Sequence, residues 1–146
     1  TRAHNAMVTR LIAAIEPAAR PCHTYGSDML VEMAASTRYP DVVVTCDERD
    51  SSDMRALVIR YPKLIVEVLS DSTAQDDLGS KMREYQTIET LVEYVTIDSR
   101  KRWAQMSRKS GQEWILNVPA TGGTLELRSI GLALDLDEIF AQGGID

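Results

Sequence analysis

The chain has 146 residues, 44% hydrophobic and 26% charged, which suits one soluble globular domain with a real core. Its net charge of −6 argues against a broad basic surface for non-specific nucleic-acid binding. It leaves room for a local one, because an acidic metal site is itself a source of negative charge. No apolar run approaches the ~20 residues of a membrane helix, and the opening TRAHNAMVTRL lacks the apolar core of a secretory signal.

The first residue is not Met, so the chain reads as a single domain over 1–146 that lacks an N-terminal segment. Val8, Leu11, Ile12 and Ile15 recur at helical spacing and predict a helix over Ala6–Ile15, capped by Asn5 and ended by Pro17 and Pro21. His4 precedes it, as a capping or surface residue or as a contact to a site. Cys22–Tyr25 and Met29–Met33 read as two strands of a hairpin about Gly26-Ser27-Asp28. Cys22 and Cys46 have no metal-ligand spacing, and the expectation is two buried free thiols in a reducing cytoplasm. Tyr39-Pro40 introduces a Val-rich strand, Asp41–Cys46, with Asp41 at its mouth. Asp47–Asp53 reads as an exposed acidic loop without chemistry.

Leu64–Leu69 is a β-branched apolar run, the pattern of a buried strand, with the carboxylate Glu67 inside it. A carboxylate there is costly unless it is paired or holds a metal. Ser70 to Thr73 breaks the strand with helix-capping residues, and a helix follows with Asp77, Lys81 and Tyr85 on one face at i, i+4 and i+8. Val92–Asp98 is the next strand, which makes a βαβ-like unit with parallel strands and a right-handed crossover. Arg102–Arg108 and Glu113–Val118 form a hairpin about Ser110-Gly111, across which Trp103 and Trp114 could face each other. Thr124–Leu127 and Ile130–Phe140 close the domain, with a helical turn at Leu136–Phe140. The class is α/β.

Asp41, Glu67 and Lys81 are the candidate centre, with Asp77, Tyr85 and Ser70 in support. Two carboxylates on neighbouring strands suit Mg²⁺, which takes oxygen ligands and keeps several waters. A nearby lysine positions water and neutralises charge developing on a phosphate, so the set could hydrolyse a phosphodiester. The same residues also admit structural roles: Glu67 paired with Lys81, Asp41 capping a turn, Lys81 and Asp77 as an exposed helix pair, Tyr85 in packing and Ser70 as a cap.

Pro40-Asp41 opening a Val-rich strand, then Val66-Glu67-Val68-Leu69-Ser70, then Thr73, Asp77, Lys81 and Tyr85, resembles the Uma family of bacterial restriction endonucleases in the PD-(D/E)XK nuclease superfamily. The resemblance runs from about His4 to the Glu93-Tyr94 strand and weakens in the C-terminal hairpins. It implies a restriction-endonuclease-like fold, a mixed sheet flanked by helices, with Asp41 and Glu67 as metal ligands and a homodimer. The superfamily lysine would stand two residues after Glu67, where this chain has Leu69; the resemblance implies that Lys81 substitutes from the helix. Members also carry an acidic residue in an N-terminal segment that this chain starts too late to include.

The leading expectation is a cytoplasmic Mg²⁺-dependent DNA endonuclease, with Mn²⁺ as a substitute ion. The metal would be held by Asp41, Glu67 and the carbonyl of Val68, with Lys81 acting on water and phosphate. The alternative is an inactive nuclease-fold module for nucleic-acid or protein interaction, favoured by the acidic pI of about 4.9 and the displaced lysine. A homodimer with internally paired carboxylates is a third reading. Arg83, Arg100, Lys101 and Arg102 could touch phosphate or form a solvated charged face.

Overall fold

The computed structural model describes residues 1–70, 78–98, 100–117 and 123–142. Helix α1 runs over Arg2–Ala19, longer at both ends than its apolar spacing predicts. Thr1 caps it, its hydroxyl accepting from the His4 N–H at 3.2 Å. Pro17 lies inside the last turn, where its missing N–H forfeits a single helical bond and does not end the helix. Met7, Leu11, Ile15 and Ala19, four apart, form the buried stripe.

β1 (His23–Tyr25), β4 (Val42–Thr45), β6 (Pro62–Leu69), β7 (Glu93–Asp98), β8 (Trp103–Ser110) and β9 (Glu113–Asn117) form one six-stranded sheet in the order β1-β4-β6-β7-β8-β9. Only β6 and β7 are parallel in it; the other neighbours are antiparallel. β2 (Leu30–Glu32), β3 (Thr37–Arg38) and β5 (Val58–Ile59) form a separate three-stranded sheet. The expected hairpin between Cys22–Tyr25 and Met29–Met33 is therefore not made: β1 pairs with β4, and β2 with β3 and β5. A short helix α2 (Glu48–Ser51) lies between β4 and β5, α3 (Leu78–Gln86) precedes β7, and β10 (Thr124–Leu127) pairs with β11 (Leu132–Asp135) ahead of α4 (Leu136–Gln142).

Both faces of the sheet are covered, which is why β4 and β6 are apolar without alternation. Val42, Val44, Leu64, Val66 and Val68 pack with α1, α4 and the β10–β11 hairpin. Val43, Ile65 and Tyr94 face the other way, toward Tyr85, Ile88, Leu91 and the small sheet's Val31 and Ile59.

Three further expectations change. Cys22 and Cys46 are joined in a disulfide: His23 pairs with Thr45, so the next step of the register sets the two cysteines opposite each other, Cα atoms 4.5 Å apart. The bridge removes the support that free thiols lent to a reducing compartment. Trp103 and Trp114 do not face each other, because Trp103 pairs with Asp98 and Trp114 with Lys109, at opposite ends of β8. Within the Asp47–Asp53 stretch, Asp50 is structural: its carboxylate accepts from the Thr45 hydroxyl at 2.6 Å and from the N–H groups of Arg60 and Tyr61 at 2.8 and 2.9 Å.

Glu93 is the most enclosed carboxylate among the described residues, 1% exposed. It accepts from Arg108 Nε at 3.1 Å and from the N–H groups of Arg128 and Ser129 at 3.0 and 2.8 Å, which ties β7 and β8 to the turn after β10. Glu93→Ala strands these donors and should cost about 3–5 kcal/mol in urea unfolding; a loss below about 1 kcal/mol would show the clamp to be dispensable.

Candidate functional site

The two candidate carboxylates meet through strand register. Val42 pairs with Val66 across β4 and β6, and one further step sets Asp41 opposite Glu67 on the same face. The Asp41 carboxylate takes the ladder position that β4, starting at Val42, does not fill: its Oδ2 accepts from the Val68 N–H at 2.7 Å. Its Oδ1 lies 3.4 Å from His4 Nε2 at the start of α1. In an extended strand a residue's N–H and C=O point to the same side, so the Val68 carbonyl faces the flank on which Asp41 lies.

Glu67 is 7% exposed. The βαβ crossover lays α3 over the same face, and the Lys81–Tyr85 spacing puts both side chains on it. Tyr85, fully buried, donates its hydroxyl to Glu67 Oε1 at 3.0 Å, and Lys81 Nζ lies 3.8 Å from Oε2. Burial above all, and then the charge of Asp41, push the Glu67 carboxyl up to about 7; Lys81, the Tyr85 hydrogen bond and Arg38 pull the other way. Burial, with the Glu67 charge and hydrogen bond behind it, also pushes the Tyr85 phenol well above its usual range.

Asp41, Glu67, Val68, Lys81 and Tyr85 are thus brought together. Ser70 is the first residue after β6, and Asp77 and Thr73 lie outside the described residues. Leu69, at the position where the superfamily lysine would stand, is buried. The basic stretch after β7 is largely engaged: Arg100 binds Asp98 at 3.2 Å, and Arg102 binds Asp137 at 3.0 Å and lies over the Phe140 ring. Burial works against it, but the hydrogen bonds from Arg100 hold the Asp98 carboxyl below its usual value.

Two participants were weakly signalled. His4 is the contact to Asp41 that its sequence position left open. Arg38 went unremarked; its only cue was its place three residues before Asp41, and its partner Glu84 lies 46 residues away.

Among the described residues, no group of three or more His, Cys, Asp or Glu side chains is clustered closely enough to hold an ion unaided. The donors at hand are two carboxylates and a carbonyl, all oxygen, which suits an ion that completes its shell with water and substrate. Asp41 and Glu67 lie opposite each other in the β4–β6 register, an acidic pair of the kind that accommodates a cation. No helix among the described residues is long and apolar enough to cross a membrane.

Residues 1–137 match the model of the Uma2 family, described as "Putative restriction endonuclease". Two uncharacterized proteins of Synechocystis are similar: slr1290, 35% identical over 122 residues (82% of this chain, 63% of that protein), and sll1609, 34% identical over 118 residues (77% and 67%). The chain spans about two thirds of the length of these relatives. A crystal structure of a "putative nuclease belonging to DUF820" from Anabaena variabilis superposes with a TM-score of 0.79 at 15% identity, covering 97% of this chain and 82% of that one. The fold is restriction-endonuclease-like.

Because Glu67 is raised, the folded protein binds a proton there that the unfolded chain has lost, and stability falls as pH rises from about 4.5 to about 7. Glu67→Gln keeps an acceptor for Tyr85 and removes the charge. In metal-free buffer at pH 8 it should be more stable than the parent by roughly 1–3 kcal/mol, with a higher thermal midpoint, and the difference should be gone at pH 5. Equal midpoints at pH 8 would contradict a raised Glu67.

Proposed function

The chain belongs to the Uma2 family, described as "Putative restriction endonuclease", and from that premise we propose that it hydrolyses nucleic-acid phosphodiesters, DNA in the first place, with Mg²⁺ or Mn²⁺ at Asp41 and Glu67. The observation that carries the reading is the pair itself: two carboxylates opposite each other in the β4–β6 register, with a lysine ammonium 3.8 Å from one of them. A fold that needed only solubility would not place two acids together at the edge of a core.

Asp41, Glu67 and the Val68 carbonyl would hold the ion. When bound, it supplies Lewis acidity and positive charge beside the scissile phosphate. The chain's own groups do the rest. The Val68 N–H and His4 fix the Asp41 carboxylate from two sides. The Tyr85 hydroxyl sets the orientation of Glu67 through Oε1. The Lys81 ammonium neutralises charge near Oε2, and its N–H groups can orient the attacking water and a phosphate oxygen. Glu67 ligates only when ionised, so the ion competes with a proton and binding weakens below about pH 7.

Calorimetric titration of Mg²⁺ and Mn²⁺, with plasmid nicking alongside, tests the reading. The parent should bind and nick. Asp41→Ala and Glu67→Ala should lose both, while Lys81→Ala should keep binding and lose nicking by at least about 10²-fold. A folded parent that binds neither ion and nicks nothing would sink the nuclease reading and leave a nuclease-fold interaction module.

A further inference from the structure

Helix α3 supplies both groups that meet Glu67, yet Tyr85 is its one fully buried side chain, with Met82 partly buried beside it. Nine residues with so small a buried stripe do not hold a helix in a defined register by themselves. Glu84, the residue before Tyr85, makes a further attachment. Its Oε2 accepts from Arg38 Nε at 2.9 Å and from Arg38 Nη2, and both side chains are about 70% covered (28% and 29% exposed). The hydrogen bond from Arg38, with a second from Ser36, holds the Glu84 carboxyl below its usual value.

Arg38 ends β3, whose small sheet seats Val31 and Ile59 on the core, and it stands three residues before Asp41. One ion pair therefore joins the segment that delivers Asp41 to the helix that delivers Lys81 and Tyr85. We propose that Arg38 and Glu84 are positioning residues, a latch that holds α3 so that Lys81 stays over Glu67. They hold the helix that carries Lys81 and Tyr85 and touch neither substrate nor metal, while the Arg38 charge also reaches Glu67 from a distance. A guanidinium suits this task because its planar fork fixes direction as well as distance, which an ammonium does not.

The latch as a device for hydrolysis rests on the nuclease reading; the latch as a holder of α3 does not. Two measurements separate these. Hydrogen exchange of the α3 amides, 78–86, should speed up by about tenfold in Arg38→Gln and in Glu84→Gln, with Arg38→Lys in between and the amides of β7 and β8 unchanged. In nicking assays, Glu84→Gln should lose about tenfold in the parent and almost nothing further in Lys81→Ala, because one change displaces and the other deletes the same ammonium over Glu67. Additive losses would assign the pair to general stability and overturn the proposal. So would unchanged α3 exchange, whatever the activity. A parent that nicks nothing while α3 exchange responds would leave the latch standing and remove the nuclease reading alone.

Discussion

Glu67 is a charge held where water scarcely reaches it, and much of the surrounding structure answers that cost. An isolated buried carboxylate is destabilising by several kcal/mol unless partners compensate. Here Tyr85 gives one oxygen a hydrogen bond, Lys81 gives the other a nearby cation, and Arg38 adds a more distant positive charge. Burial above all, and then the Asp41 charge, act in the opposite sense and push the carboxyl up to about 7.

The architecture makes this arrangement available. β6 is covered on both faces, and its one carboxylate, Glu67, lies near the carboxyl-terminal end, where the strand gives way to the half-buried Ser70. The parallel β6–β7 pair requires a crossover, and the crossover supplies α3. The antiparallel β4–β6 pair brings the start of one strand beside the end of the other, which sets Asp41 against Glu67. Mixed pairing in one sheet thus joins residues from three elements at one strand end.

Much of this was legible in the residues. The run Leu64–Leu69 and the 81/85 spacing carry local information, and the strand, the helix face and the parallel β6–β7 pairing follow from them. Glu67 was likewise readable as a carboxylate inside an apolar strand, and Asp41 as one at the mouth of the neighbouring strand, although β4 itself begins at Val42. What could not be read was non-local. β1 and β2 look like a hairpin because Gly26-Ser27-Asp28 is a good turn, yet β1 gains more by closing on the Val-rich β4. The cysteine pairing follows from that choice, since it exists only in the β1–β4 register. Trp103 and Trp114 were misplaced because hairpin register, which composition does not encode, decides what lies across from what. The Arg38–Glu84 contact spans 46 residues and leaves no periodicity to find.

The Cys22–Cys46 bridge closes a covalent ring whose contour includes β1 to β4, the exposed Ala34-Ala35 bend and Asp41 itself. A peptide cut anywhere between the two cysteines would open the ring without releasing a piece, so the segment bearing Asp41 would stay tethered to the rest after cleavage. Reductant would then be needed to part the halves. A cut in this interval therefore leaves the chain covalently joined, which a cut in the interval bearing Glu67 and Lys81 does not.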